Sequence, residues 1–362
     1  MLKTAIFASR ASAVTLPLAL LFSGCSGGSL VREPGVTPLS ASRIAAMSMA
    51  HYVPHAVHTD RSKSWIDPQA KKRTQLLYVS DWDTNDVYIY NYKTGASVGK
   101  LTGFDEPYGQ CVDAKGDVFI TNFGGASVVE YAHGGTKILK TFSVTGNPLG
   151  CAIDKAGDVA VGDYYQNGGS DAGNVEVFAH GGSSATTYTS DNCYYIWGPA
   201  YDRSGNLFVE SAGAQTPSPV CELPHGGSAL VPVSFNVPLI YPGSPVWDGK
   251  EIALTDQEAG GYLDTGMYQT TISGSSMTQT GETLLSDTCF NAETDIVVPF
   301  VVGSKNTPVN KTLGKTVAGG NLYCVNNSAD VSDWAYPAGG GVLVTFANGP
   351  VEPYGASVSS GK

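Results

Sequence analysis

Gly109-Gln110-Cys111-Val112-Asp113-Ala114-Lys115-Gly116-Asp117-Val118-Phe119-Ile120-Thr121-Asn122 reads as an apolar strand, a tight turn and a second apolar strand. Asp113 and Gly116 supply the turn: an Asp side chain can accept nearby backbone amides, and Gly takes the positive φ that closes the bend. The same phrase returns from Gly150 through Asp154-Lys155-Ala156-Gly157 to Asp163, and from Gly198 through Asp202-Arg203-Ser204-Gly205 to Ser211. Aligned on the residue that ends the second strand, the copies fall at Asp81, Asn122, Asp163, Ser211, Asp256 and Asn326, with spacings of 41, 41, 48, 45 and 70 residues. A period in the forties fits a four-stranded propeller blade, and the long last step accommodates an insertion near 303–316.

Between the phrases lie two further strands per unit, such as Ala126 to Ala132 and Lys137 to Val144. Their connecting turn recurs as His133-Gly134-Gly135, His180-Gly181-Gly182 and His225-Gly226-Gly227, so these histidines mark one turn per unit and do not form a metal triad. The first unit opens at a second strand, Leu76 to Ser80, with no first strand before it. The missing strand stands at the other end: Glu352-Pro353-Tyr354-Gly355-Ala356-Ser357-Val358-Ser359 matches the run from Glu106 to Asp113. Closing the ring this way removes exposed strand edges. The expected architecture is all-β, a six-bladed β-propeller over 76–360 closed by a C-terminal strand joining the N-terminal blade.

The Pro-x-Gly start of the first strand, the Asp-x-x-Gly-(Asp/Asn) turn and the apolar second strand ending in Asp or Asn resemble NHL-repeat and SMP-30/gluconolactonase-like propellers. That superfold hosts enzymes, binders and scaffolds, so the resemblance implies architecture before activity. The lactonase comparison implies a divalent cation, calcium by chemistry, held near the starts of the inner strands. Glu106, Asn147 and Glu352 occupy matched places, each directly before Pro, whereas Gln110, Cys151, Pro199 and Ala356 just inside the strands supply no acid or base.

Residues 1–24 read as a lipoprotein signal peptide: Lys3 and Arg10, an apolar run from Ala11 to Phe22, then Leu21-Phe22-Ser23-Gly24-Cys25, similar to a lipobox with Phe22 in place of Leu. Cys25 would then carry the lipid, and acyl chains would hold the protein at the bacterial envelope outside the cytoplasm. Residues 25–75 read as a flexible tether, in which His51, His55 and His58 and the cluster Lys71-Lys72-Arg73 are solvated. The formal net charge is -11, and losing Lys3 and Arg10 takes it to -13. An acidic surface without a basic stripe repels phosphate backbones, so nucleic acid is excluded as a partner. Behind an export signal, the even set Cys111, Cys151, Cys193, Cys221, Cys289 and Cys324 favours disulfides, with pairing in chain order the first choice among 15 connectivities.

Ligand sites of propellers gather where loops enter the innermost strands and leave the second strands. Trp82, Tyr108, Tyr164, Tyr165, Trp197 and Trp334 fall there among carboxylates and amides, suiting a glycan, peptide or protein. The aligned Asp and Asn residues also have a plain structural use, capping their own turns. Asp81-Trp82-Asp83-Thr84-Asn85-Asp86 begins like an EF-hand loop but has Asp86 and Tyr92 where that loop needs Gly and Glu, so a repeat turn is expected. Gly95-Ala96-Ser97-Val98-Gly99 has the letters of a nucleophile elbow without its strand–turn–helix setting. The expected function is an envelope-anchored, monomeric binding module without cofactor; the alternative is a calcium-dependent lactonase-type hydrolase.

Overall fold

A computed structural model describes residues 63–72, 75–166, 171–212, 219–259, 264–285, 295–297, 320–326, 330–346 and 349–361. The signal segment, Cys25, Cys289 and the 303–316 insertion lie outside the described residues, as does the tether up to residue 62.

The described residues form 25 strands in antiparallel, blade-like sheets, with 3-10 turns at Ala70–Lys72 and Ala179–Gly181. The first sheet holds β1 (Trp65–Ile66), β2 (Gln75–Asp81), β3 (Asp86–Asn91) and β4 (Ser97–Leu101). The second is β5 (Pro107–Val112), β6 (Val118–Asn122), β7 (Ser127–Tyr131) and β8 (Ile138–Ser143). The third is β9 (Gly146–Ile153), β10 (Val159–Gln166), β11 (Asp171–Phe178) and β12 (Thr186–Tyr188). A fourth set, β13 (Tyr195–Tyr201), β14 (Leu207–Ala212), β15 (Val220–Leu223) and β16 (Val231–Phe235), is followed by β17 (Val246–Trp247), β18 (Ile252–Glu258), β19 (Asp264–Ser273) and β20 (Ser276–Leu284). These two sets are joined by a short parallel contact of β16 with β20, Ser234 opposite Ser276 and Phe235 opposite Met277. A last set is β21 (Asp295–Val297), β22 (Gly320–Asn326), β23 (Asp330–Tyr336) and β24 (Gly339–Phe346). The final strand, β25 (Pro353–Ser360), returns to the first sheet, where it pairs with β2 from Gln75–Ser360 to Asp81–Pro353.

Turn chemistry repeats with the sequence phrase. Asp113 Oδ1 accepts the amides of Lys115 and Asp117 at 2.8 and 2.9 Å, and Asp154 Oδ1 accepts those of Ala156 and Asp158, both at 2.8 Å. Asp202 Oδ1 accepts Ser204 and Asn206 at 2.7 and 2.8 Å. The glycine of each turn needs its missing Cβ: φ is 89° at Gly116, 85° at Gly157 and 88° at Gly205. The His-Gly-Gly turns dock on these bends, with the His180 amide donating to Asp158 Oδ1 and the His225 amide to Asn206 Oδ1.

Strand alternation gives every sheet two buried faces. Val118 and Ile120 pack against Leu76, Tyr78 and Ile89 of the first sheet, while Phe119 between them packs with Val159, Val161 and Phe178 of the third. Ala160 and Val175 of the third meet Leu207 and Val209 of the fourth, and Phe208 faces Ile252 and Leu254 of the next. Two disulfides join in chain order, as the cysteine count suggested: Cys111–Cys151 links β5 to β9, and Cys193–Cys221 ties the loop before β13 to β15. Closing loops of 40 and 28 residues stabilises by roughly 3–4 kcal/mol each through the unfolded chain. Disulfides belong to an oxidising compartment, so the protein is extracytoplasmic. Among the described residues no helix is long and apolar enough to cross a membrane.

Residues 63–72 of the stretch expected to be tether pack on the first sheet. Trp65 and Ile66 pair with Lys100 and Gly99 on the outer side of β4, the Asp67 amide donates to the Val98 carbonyl, and Ala70 is buried against the first sheet. Local composition hid this because a two-residue edge strand carries no periodicity of its own.

Candidate functional site

The aligned Asp and Asn residues hold the loops that lead into the innermost strands. Asp81 Oδ2 accepts the amides of Val351 and Glu352 at 2.5 and 2.8 Å, and its Oδ1 accepts the amide and hydroxyl of Thr84, both at 2.8 Å. Asn122 Oδ1 accepts the Asp105 amide at 2.7 Å. Asp256 accepts Ile240 and Tyr241, both at 2.9 Å, and Glu258 at 3.0 Å. The capping role is therefore real, but it reaches past each residue's own turn to a loop 15 or more residues away in sequence. Burial pushes the Asp256 carboxyl up, against the pull of its three amides. Glu210, fully shielded on β14, clamps the next sheet by accepting Gly243 and Thr255 at 3.1 and 2.8 Å. Burial drives its carboxyl well above the ordinary range, partly offset by those two amides.

The third sheet departs from this scheme. Asp163 clamps no loop; instead Glu176 on β11 accepts the Thr145 amide at 2.8 Å and the Thr145 hydroxyl. Burial, and then the neighbouring Glu176, hold the Asp163 carboxyl well above its usual range.

Above these clamps sits one aromatic cluster containing Trp82, Tyr108, Phe123, Leu149, Tyr164, Trp197, Ala212, Tyr241 and Tyr354. Trp82 lies 5.1 Å from Phe123 and 5.3 Å from Tyr354, and Tyr354 lies 4.7 Å from Tyr108, measured between ring centroids. Trp197 meets Tyr164 and Tyr241 edge-on at 5.6 and 5.5 Å. From Tyr164 the rings step outward: Tyr195 stacks on it at 5.0 Å, Tyr165 lies at 4.5 Å, and Tyr194 meets Tyr195 at 4.7 Å. Tyr195 and Tyr165 are half-buried, and Tyr194 is 36% exposed. The arrangement is an aromatic ladder from core to solvent, rooted in the third and fourth sheets.

Five of the six aromatics picked from the sequence meet here: Trp82, Tyr108, Tyr164 and Trp197 in the cluster and Tyr165 against it. Trp82 and Trp197 keep only 8% and 6% exposure, so their rings hold the face together more than they present it. Trp334 does not join them. It lies on β23, 1% exposed, packed with Ala253, Met267, Leu285 and Tyr336. Its strand starts at Asp330, which turns Trp334 from a loop residue into an inward side of the sheet. Tyr194 and Tyr195 also fall in these loops by sequence, whereas Phe123 and Tyr241 belong to the site and were missed as named residues.

Glu106 and Glu352 sit in the loops just before β5 and β25, and Asn147 is the second residue of β9; all three are engaged in the stitching of the face. The Glu106 amide donates to Asn85 Oδ1 at 2.6 Å, and its carbonyl accepts the Phe123 amide at 3.0 Å. Asn147 Nδ2 donates to the Phe123 carbonyl at 3.0 Å. Glu352 accepts the Trp82 amide on its carbonyl at 3.0 Å and the Tyr354 hydroxyl on Oε1 at 2.9 Å. Burial, then the Glu352 charge, push the Tyr354 phenol up. Among the described residues no three His, Cys, Asp or Glu side chains gather as a metal set. The Asp81 to Asp86 stretch is a turn between β2 and β3, with Asp86 paired to Lys100 Nζ at 2.7 Å.

The chain matches no protein-family model and no curated protein. Among solved structures it is similar to a chain of the crystal structure of the nidogen/laminin complex, with a TM-score of 0.56 at 14% identity over 79% of this chain and 98% of that one. It is also similar to a functionally unknown protein from Desulfotomaculum acetoxidans, with a TM-score of 0.52 at 12% identity over 79% and 99% of the two chains. At such identities the likeness shows the fold alone, a β-propeller.

Proposed function

We propose that this protein is a lipid-anchored, six-bladed propeller of the bacterial envelope that binds a peptide, protein or glycan on its aromatic face. The blade count rests on the packing order of the sheets. Beyond the faces already described, Ala253 and Met267 pack on Trp334 and Tyr336, and Val331 and Phe346 pack on Leu77, Val79 and Val358 of the first sheet. These face-to-face contacts, and the pairing of β25 with β2, support reading the set as a closed ring of six. The membrane anchor rests on the sequence around Cys25.

The observation that carries the binding reading is the Tyr164–Tyr195–Tyr194 ladder. Rigid aromatics in graded exposure, bordered by acidic loops, offer large contact area at low conformational cost. The nidogen/laminin complex contains a chain of the same fold, which makes a protein or peptide the first ligand to try. Envelope fragments should retain the purified protein in co-sedimentation, and Tyr194→Ala should weaken retention roughly tenfold or more, as loss of an interfacial tyrosine does. Unchanged retention of a variant that melts like the wild type would remove the ladder from the binding surface.

Anchoring is checked separately. Cys25→Ser should move the protein from the membrane pellet to the soluble extracytoplasmic fraction. A variant still pelleting after a high-salt wash would show that the lipid is not what holds it.

A further inference from the structure

Among the described residues, two buried acids of the third sheet have no positive charge beside them. Asp163 on β10 lies directly opposite Asn174 on β11, and Glu176 stands two residues further along the same face. Their exposures are 0%, 0% and 2%. The lead-in loop at Thr145 and Gly146 closes over them: Thr145 donates its amide and hydroxyl to Glu176 Oε1, and Asn174 Nδ2 donates to the Thr145 hydroxyl at 3.4 Å. At Gly146 a Cβ would stand 2.8 Å from Asp163 Cβ, so the loop backbone lies directly on the acid. Among the described residues, neither carboxylate oxygen of Asp163 has a hydrogen-bond donor, and neither does Oδ1 of Asn174. Glu176 is within reach of Asp163, but two carboxylates have no donor between them unless one is protonated.

The first sheet handles the equivalent place differently. There Asp81 faces Asp86 across β2 and β3, Lys100 pairs with Asp86, and backbone amides fill Asp81. In the third sheet the outer strand β12 reads Thr-Thr-Tyr and brings no cation. A shared proton would supply one donor and engage one oxygen of each acid. The second oxygen of Asp163 and Oδ1 of Asn174 would stay unmet, each a buried acceptor that has lost its water without gaining a donor. A hard cation is the kind of partner that carboxylate and amide oxygens can share.

We propose that Asp163, Glu176 and Oδ1 of Asn174 form a buried calcium site that fastens the loop at Thr145 and Gly146 to β10 and β11. Carboxylate and amide oxygens in an irregular set suit calcium, whereas magnesium demands near-octahedral geometry and keeps its waters. The site is distinct from Glu106, Asn147 and Glu352, and it stands independently of the binding reading. Its consequence for the face is positional: Tyr164 and Tyr165 follow Asp163 directly, and Asn147 follows Gly146.

The full-length protein, freed of metal by chelation, is titrated with calcium chloride, magnesium chloride and terbium chloride. Calcium should raise the melting temperature by roughly 5–10 °C at a hundredfold excess over its Kd, and magnesium should do far less. Terbium should give tyrosine- or tryptophan-sensitised emission that calcium displaces. Asp163→Asn should lose both responses, and Glu106→Gln should keep both. If Asp163→Asn does not fold, the same titration of Glu176→Gln decides. No calcium response in the wild type, or a full response in Asp163→Asn, would overturn the site and leave a shared proton as the reading of the pair.

Discussion

Deleting Glu352 to Lys362 is expected to leave the protein insoluble, or soluble without a cooperative melting transition. The deletion removes β25, whose Tyr354, Ala356 and Val358 are buried, and strips β2 of a ladder of seven residue pairs. Tyr354 alone, as a truncated core aromatic, represents about 3–5 kcal/mol, against a net stability of roughly 5–15 kcal/mol for a domain. Leu77 and Val79, each at 0% exposure, would then sit on an open edge, the template that β-proteins otherwise cover. Asp81 would lose the amide of Glu352 outright, and that of Val351 as well if the remaining tail detached. A synthetic peptide of residues 349–362, added during refolding, should restore solubility by supplying the strand in trans. A truncated protein that melts like the full chain would show that β25 does not complete the first sheet in solution.

Glu210→Ala is the second large effect. The side chain crosses between sheets and satisfies two amides, Gly243 and Thr255, in a fully shielded place. Removing it strands both donors, at about 1–3 kcal/mol each, so a loss of about 4 kcal/mol and roughly 10 °C in melting temperature is expected. Glu210→Gln keeps one acceptor and should lose less. The pH dependence separates the two effects. A carboxyl raised on folding contributes stability that is fully present below its unfolded pKa and is lost as pH rises through the folded one. The window therefore opens near the ordinary glutamate pKa of about 4.3 and closes at the raised value. Across it, the gap between wild type and Glu210→Gln should narrow with increasing pH. Melting curves of both proteins at several pH values check this, and a gap that widens instead would mean that Glu210 is held ionised by its amides.

Much of the aromatic cluster was readable from the repeat. Eight of its nine members, all but Tyr241, occupy two equivalent places per unit. Trp82, Phe123, Tyr164 and Ala212 each follow the aligned Asp, Asn or Ser, and Tyr108, Leu149, Trp197 and Tyr354 each precede the aligned Gly. Periodicity places such residues on one face because every unit folds into the same set of strands. The glycine beside them is explained by crowding: at Gly355 a Cβ would run into the Tyr108 carbonyl of the adjoining inner strand. What periodicity does not carry is side-chain reach. That Glu176 takes over the loop clamp from Asp163, or that Glu210 serves the next sheet, depends on a few ångströms between strands distant in sequence. Trp334 misled for the opposite reason, since its aligned Asn326 does not fix where β23 begins. The pairing of Trp65 and Ile66 with β4 is non-local and leaves no local pattern to read.

The first sheet holds the two ends of the described chain at its opposite margins. β1 lies outermost, joined by the pairs Trp65–Lys100 and Ile66–Gly99, while β25 lies innermost. Tension arriving along the N-terminal side therefore meets a margin of two residue pairs before the seven-pair ladder of β2 with β25. The two pairs of β1 run antiparallel to β4 and would unzip one after the other, releasing the 3-10 turn at Ala70–Lys72 as slack before any load reached β2. The segment would thus lengthen like a slack lead before the β2–β25 ladder was loaded.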